Sequence, residues 1–226
     1  MAGAPHELDP GPGDRTARGP TALVGISYTE VLAKTVGASY EEAVAVLREE
    51  LPSLWRDAYR TYSNRPTDLV SIERGGFEFL FDDYTGLEAR GVVPYDPHHE
   101  SRVVAVYGCS APPRLKRDDH RLRGWVGATE GMFGTGWDKG HFIAHSIGGA
   151  VLGSELNVFV QRRALNRGWS TEGKRFRAME AHCASHPGTF CFARPIYTDG
   201  SAQPTFVEFG LLRGDGELWV DSFDNR

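Results

Sequence analysis

Residues 137–180, WDKGHFIAHSIGGAVLGSELNVFVQRRALNRGWSTEGKRFRAME, bring together a histidine, hard oxygen ligands and a run of cations. A neutral imidazole is the side chain best matched to taking a proton from water near pH 7, so His141 is the candidate general base. The amide oxygen of Asn166 is a hard, neutral ligand. It suits Mg²⁺, which keeps most of its waters and needs few protein contacts. Glu180 follows Asn166 by about four helical turns, near the same face if the helix is unbroken. Gly168 and Gly173 are expected to interrupt that helix, and Glu172 is the competing acid. A proton-moving His with an Asn and a Glu able to hold a cation is the minimum kit for metal-assisted phosphodiester cleavage.

Other chemistries are open to nearby residues. His141 and His145 have the i, i+4 spacing of helical zinc ligands, but a metallopeptidase needs Glu at 142, where this chain has Phe. His182, Cys183, His186 and Cys191 can ligate zinc, Cys183 and Cys191 can pair, or all four can be polar residues in a loop before a strand.

Composition sets the frame. The chain has 226 residues, 40% hydrophobic and 24% charged, enough for one larger domain or one domain with an appendage. No apolar run approaches the roughly 20 residues that span a bilayer, so no membrane partner is expected. The first twenty residues lack a basic n-region and an apolar h-region. This points to cytoplasmic residence or export by a non-Sec route. Three cysteines are too few for a disulfide framework. The net charge of −5 is the wrong sign for a protein that coats nucleic acid, yet residues 1–100 carry −8 and residues 101–226 carry +3. The cations cluster at 114–123, RLKRDDHRLR, and at 162–177, RRALNRGWSTEGKRFR. Such clusters are either solvated helix faces or a groove for a phosphate backbone.

The elements that must position these groups read as α+β. Residues 1–20 are a disordered tail. Residues 21–66 form an N-terminal helical segment: YTEVLAKTV ends at Gly37, Ser39 opens a second helix, Pro52 interrupts it and SLWRDAYRTYS resumes. The acidic character of this pair disfavours a DNA-reading helix-turn-helix and favours a helical cap or partner-docking element. From 67 to 226 strands dominate. A hairpin over 77–95 has LEARGVVPY as its return strand, and RVVAVYG follows at 102–108. A long loop covers 110–136, and strands follow at 189–197, 204–213 and 216–223. Phe206 to Leu212 alternates as a half-buried strand does. The arrangement is one antiparallel sheet with helices against it and the polar cluster on a helical insert.

The motifs GWDKGHFIAHSIGG, ELNVFVQRRALNRGW and RAME resemble, in order, the signature of the DNA/RNA non-specific endonucleases of the ββα-metal fold. That signature is Asp-Arg-Gly-His, Asn-Leu-x-x-Gln, a metal-binding Asn and a helix ending in Glu. Asp138, Gly140 and His141 match the first motif. Asn157 and Gln161 match the second, with Val158 in place of Leu; Asn166 and Glu180 match the metal positions. The resemblance covers roughly residues 70–226. It implies a catalytic set of His141, Lys139, Asp138 and Asn157, with Mg²⁺ (Mn²⁺ as substitute) on Asn166 and Glu180. It also implies DNA or RNA gripped by Lys139 and by Arg162, Arg163, Arg167 and Arg175, with little sequence preference. Lys139 departs from the usual Arg and lacks the bidentate fork. The alternative is a catalytically inactive nucleic-acid-binding or partner-binding protein on the same scaffold. A nuclease without a Sec signal points to a delivered toxin, a defence effector held by an immunity or inhibitor protein, or a domain of a longer chain. The acidic first hundred residues are then expected to cover the basic groove or to dock that partner.

Overall fold

A computed structural model describes residues 25–113, 134–149 and 155–226. The tail at 1–20, the cationic stretch 114–123 and most of the long loop lie outside these residues. The fold is α+β. Six strands form one antiparallel sheet: β1 (Leu69–Arg74), β2 (Phe77–Asp82), β3 (Arg102–Cys109), β6 (Phe190–Ile196), β7 (Phe206–Leu212) and β8 (Leu218–Asp224), in spatial order β1-β2-β3-β6-β7-β8. Between β3 and β6 the chain leaves the sheet to build a separate two-stranded ribbon, β4 (Trp137–His141) with β5 (Val158–Arg162). The insert is in the expected place, but it opens as a ribbon where the residue pattern suggested helix, in line with the strands that the ββα-metal resemblance implied.

The sheet is covered on both faces, and strand alternation shows how. Phe79, Val106, Ala193, Val207 and Phe209 point to one face, where they meet Phe142, Ile143, Ile147, Phe176 and Met179 of the insert and its helices. Leu80, Ala105, Tyr107 and Phe192 point to the other, where they meet Leu47, Leu51, Trp55 and Tyr59 of the N-terminal helix. The central strands are therefore buried on both sides. This is why β7 is buried throughout and is not the half-buried strand its alternation suggested.

Three further expectations are corrected. The N-terminal segment has a short α1 (Thr29–Ala33) and one 24-residue helix, α2 (Tyr40–Ser63), which runs through Pro52. Proline inside a helix costs about 3 kcal/mol. Here the residues on both sides of Pro52 bury one continuous apolar face, and tertiary burial holds the two halves in line. Ser39 caps α2 in a reciprocal box with Glu42. The return strand at 87–95 does not form. Asp83 caps α3 (Tyr84–Ala89), its Oδ1 accepting from the Gly86 N–H at 3.0 Å, and the chain turns helical. The partner of β2 on that side is β1, which was not expected. It is an edge strand whose side chains are mostly exposed, and so it carries little apolar alternation.

Two buried polar networks tie α1 and α2 to the sheet. The Arg194 Nη2 donates to Glu208 Oε2 at 2.7 Å, Tyr28 donates to Glu208 Oε1, and the Trp55 indole donates to Tyr28 at 3.2 Å. Asp82 accepts from Tyr59 (2.7 Å) and Arg65 (2.8 Å). Among the described residues no helix is long and apolar enough to cross a membrane.

Glu208→Ala leaves Arg194, itself 2% exposed, as a buried cation without its carboxylate. Breaking a buried pair on one side costs about 3–5 kcal/mol. Chemical denaturation is expected to show a loss of that size, and a loss under 1 kcal/mol would show that the pair is replaceable by water.

Candidate active site

The ribbon is held in register by ladder pairs from Trp137↔Arg162 to His141↔Val158. Beyond His141 the chain goes straight into the core. Phe142 stacks on Phe159, ring centroids 4.4 Å apart, and Ile143 is fully buried. Asn157 clamps this point from both sides. Its Oδ1 accepts from the Ile143 N–H (2.9 Å) and its Nδ2 donates to the Ile143 C=O (2.8 Å). Both ends of the amide are thus used on backbone. Asn157, expected in the catalytic set, thus has its amide engaged in fixing the segment that carries His141.

Two glycines of the motif are explained by close approach. A Cβ on Gly140 would lie 2.1 Å from Gln161 Oε1, so only glycine lets Gln161 cross β4 there. A Cβ on Gly149 would lie 1.9 Å from the Ile143 carbonyl, which closes the Gly-Gly turn after the short 3₁₀ turn His145–Ile147.

After β5 come α4 (Arg163–Asn166) and α5 (Thr171–Ser185), the latter capped by Ser170. Gly168 lies in the break between them, as expected, whereas Gly173 sits in the first turn of α5 and does not interrupt it. Helix α5 packs Phe176 edge-on against Phe209 and Phe223 of the sheet, which fixes its rotation. That rotation sends Arg177 and Glu180 towards the ribbon.

These elements enclose a cavity of about 580 Å³. Lys139 and His141 from β4, Gln161 from β5, Asn166 and Arg167 from α4 and its end, Arg177 and Glu180 from α5, and His145 and Ser146 from the turn all line it. Residues from positions 113 to 180 of the sequence are thereby brought to one space. Glu172, the competing acid, does not line it and instead pairs with Arg162 at 2.6 Å.

Asp138 sits beside the cavity and organises its rim. Its carboxylate accepts from Arg163 Nε (2.9 Å), from Arg167 Nε (2.7 Å) and from Asn166 Nδ2 (3.2 Å). Burial opposes ionisation, but the hydrogen bonds from Arg167, Asn166 and Arg163 outweigh it and hold the carboxyl below its usual range. Asp138 is therefore a positioning anion. By taking the amide N–H of Asn166 it leaves that side chain's oxygen as the end available to a cation.

Glu180 is buried, and its Oε2 accepts from Arg177 Nη1 at 2.8 Å. Burial pushes its carboxyl up to about 7, with Arg177 pulling the other way. The Gln161 amide nitrogen is buried without a hydrogen-bond partner among the described residues, a donor held ready at the cavity wall.

The donor set fits a hard cation: one amide oxygen whose orientation is fixed by Asp138, and one carboxylate in a buried position. It does not fit a three-ligand zinc centre. Among the described residues no three His, Cys, Asp or Glu side chains gather to hold a metal. His141 ends a strand and His145 begins a 3₁₀ turn, so their helical ligand spacing is not realised. His182 and Cys183 lie in α5 and not in a loop; Cys183 and Cys191 are free and buried, while His182 and His186 stack on each other.

The expected row of phosphate-gripping arginines is only partly present. Arg162 pairs with Glu172 and Arg175 pairs with Asp221 at 2.7 Å; neither lines the cavity. Arg163 is committed to Asp138. Arg167 and Arg177 do line it, and Arg177, which the sequence reading did not single out, is one of the more exposed cations there. Its signal was present in the basic run, but the run alone does not say which cations face inward. The acidic N-terminal helices lie across the sheet from the cavity, so residues 25–66 do not cover it.

No protein-family model matches the chain, and no curated protein matches it. Among solved structures it is similar to the Sda1 nuclease with bound zinc ion, at 14% identity over 71% of this chain and 74% of that one, with a TM-score of 0.36.

The raised Glu180 carboxyl makes stability pH-dependent. A group whose folded value lies above its unfolded value favours folding when protonated, and that advantage is lost as pH rises through about 7. Between pH 4.5 and 8 the ionisation of Glu180 is expected to cost on the order of 2–3 kcal/mol in metal-free buffer. Glu180→Gln removes that slope. Thermal melts across this range in EDTA are expected to show the variant gaining on the parent as pH rises, and parallel curves would show that Glu180 titrates normally.

Proposed function

We propose that the chain is a divalent-metal-dependent endonuclease that hydrolyses phosphodiester bonds in DNA or RNA with little sequence preference. The observation that carries this reading is the convergence of Lys139, His141, Asn166 and Glu180 on one polar cavity. These are among the residues that the resemblance to DNA/RNA non-specific endonucleases singles out, and they come from three elements, β4, α4 and α5.

In this reading His141 takes a proton from the water that attacks phosphorus. Its backbone is held by the Asn157 clamp on Ile143 and by the ladder to Val158, which fixes the point from which the imidazole projects. Lys139 on the same strand, with Arg167 and Arg177 on the far wall, neutralises phosphate oxygens. Lys139 acts as a point charge and does not fork. The Gln161 amide donates to a non-bridging oxygen or to the water. Asn166 and Glu180 would hold the cation, Mg²⁺ by the hardness of the oxygens, with Asp138 and Arg177 orienting those two side chains. Bound there, the ion supplies positive charge to the scissile phosphate and leaving oxygen. None of the contacts named is to a base edge, and phosphate is carried by every nucleotide, so weak sequence preference follows.

Relaxation of supercoiled plasmid in Mg²⁺ and its suppression by EDTA is the test. His141→Ala is expected to lose at least about 100-fold in rate, the scale of a general base, while melting within a few degrees of the parent. A folded His141→Ala protein that cleaves at the parental rate would remove this assignment.

A further inference from the structure

Trp169 stands out on the surface. It is 64% exposed, in the turn between α4 and α5 that carries the cavity wall. Exposure of a single aromatic side chain is ordinary in itself, so what surrounds it decides whether it has a use. Among the described residues the other large exposed apolar ones, Val36, Val70, Val92 and Tyr95, do not line the cavity. Trp169 differs because its neighbour does. The guanidinium of Arg167, which lines the cavity and is tied to Asp138, lies 5.1 Å from the centre of the indole ring. The turn is also stiff. The Trp169 N–H donates to the Ala164 carbonyl at 2.9 Å, and Ser170 beyond it caps α5. An indole face is therefore held next to the cations and the Asn166 of the candidate site.

A planar apolar face beside a phosphate-binding cation is what an unpaired nucleobase needs. The base stacks on the ring while its phosphate meets the guanidinium, and stacking on an aromatic is worth about 1–3 kcal/mol per base and tolerates any sequence. A base inside a closed duplex already has both faces covered and reaches such a ring only after unstacking, at a cost of a few kcal/mol. We propose that Trp169 is the stacking subsite for an unpaired nucleobase adjacent to the cleaved phosphate, so that single-stranded nucleic acid or a locally opened duplex is taken in preference to a closed duplex. The proposal rests on the nuclease reading above and adds the form of the substrate.

The test uses the full chain and its Trp169→Ala and Trp169→Phe variants. The substrates are one end-labelled oligonucleotide sequence as single-stranded DNA, as single-stranded RNA and as a blunt DNA duplex, in Mg²⁺. The parent is expected to cleave the single strands faster than the duplex. Trp169→Ala is expected to lose roughly 5- to 100-fold in kcat/KM on single strands and little on the duplex, with Phe retaining most of the rate. The DNA and RNA arms show which strand the subsite serves. Equal loss on single strand and duplex, or no loss on either, overturns the proposal. If the parent cleaves nothing, the nuclease reading fails by itself. Anisotropy titrations of the same oligonucleotides in EDTA then decide the subsite, which requires weaker single-strand binding by the Ala variant and overturns if the two bind alike.

Discussion

The carboxylate of Asp138 ties the β4–β5 ribbon to helix α4 and to Arg167 just beyond it. It sits on strand β4, yet its hydrogen-bond donors are Arg163 and Asn166 of α4 and Arg167 just beyond it. Helix α4 is a single turn and has little stability of its own. The anion anchors it, sets the end of the Asn166 amide that faces the cavity, and holds the Arg167 guanidinium against Trp169. A neutral group at 138 could accept fewer such bonds and would leave two cations uncompensated at the rim. Its role is architectural, and the chemistry assigned to the cavity depends on it.

Behind this rim the sheet separates two jobs. One face receives the ribbon and α5, whose Phe176 is locked between Phe209 and Phe223 and thereby aims Arg177 and Glu180. The other face receives α2 and is tied by the Arg194–Glu208 and Asp82 networks. Covering both faces makes the central strands rigid, and a rigid platform is what holds a site built from an inserted ribbon and two helices to useful precision. The acidity of the N-terminal helices is spent on the far side of this platform from the cavity.

Much of this was legible in the sequence because its signals are local. The strands at 102–108, 189–197, 204–213 and 216–223, the Ser39 cap and the insert around His141 all carry their own pattern. What was not legible depends on partners distant in the chain. The helix through Pro52 continues because the sheet offers an apolar face along its whole length. The edge strand Leu69–Arg74 has no buried face to announce it. Residues 84–89 became helix through one Asp83 cap where β-propensity suggested a return strand. Within the site, residue types pointed to His141, Asn166 and Glu180, and the cavity gathers all three. Types could not show that Asn157 spends both ends of its amide on Ile143, or that Arg162 and Arg175 answer to Glu172 and Asp221. A charge run reports composition, and only the fold reports which charges are already paired.

The central claim is that Asn166 and Glu180 together hold one hard divalent cation in this cavity. Titration of Mn²⁺ into the metal-free protein, followed by the loss of the free-ion electron paramagnetic resonance signal, measures this without reference to activity. The account requires one site per chain in the parent protein and its loss, or at least a tenfold weakening, in both Asn166→Ala and Glu180→Gln. A parent protein that takes up no Mn²⁺, or variants that bind it as the parent does, would contradict the account.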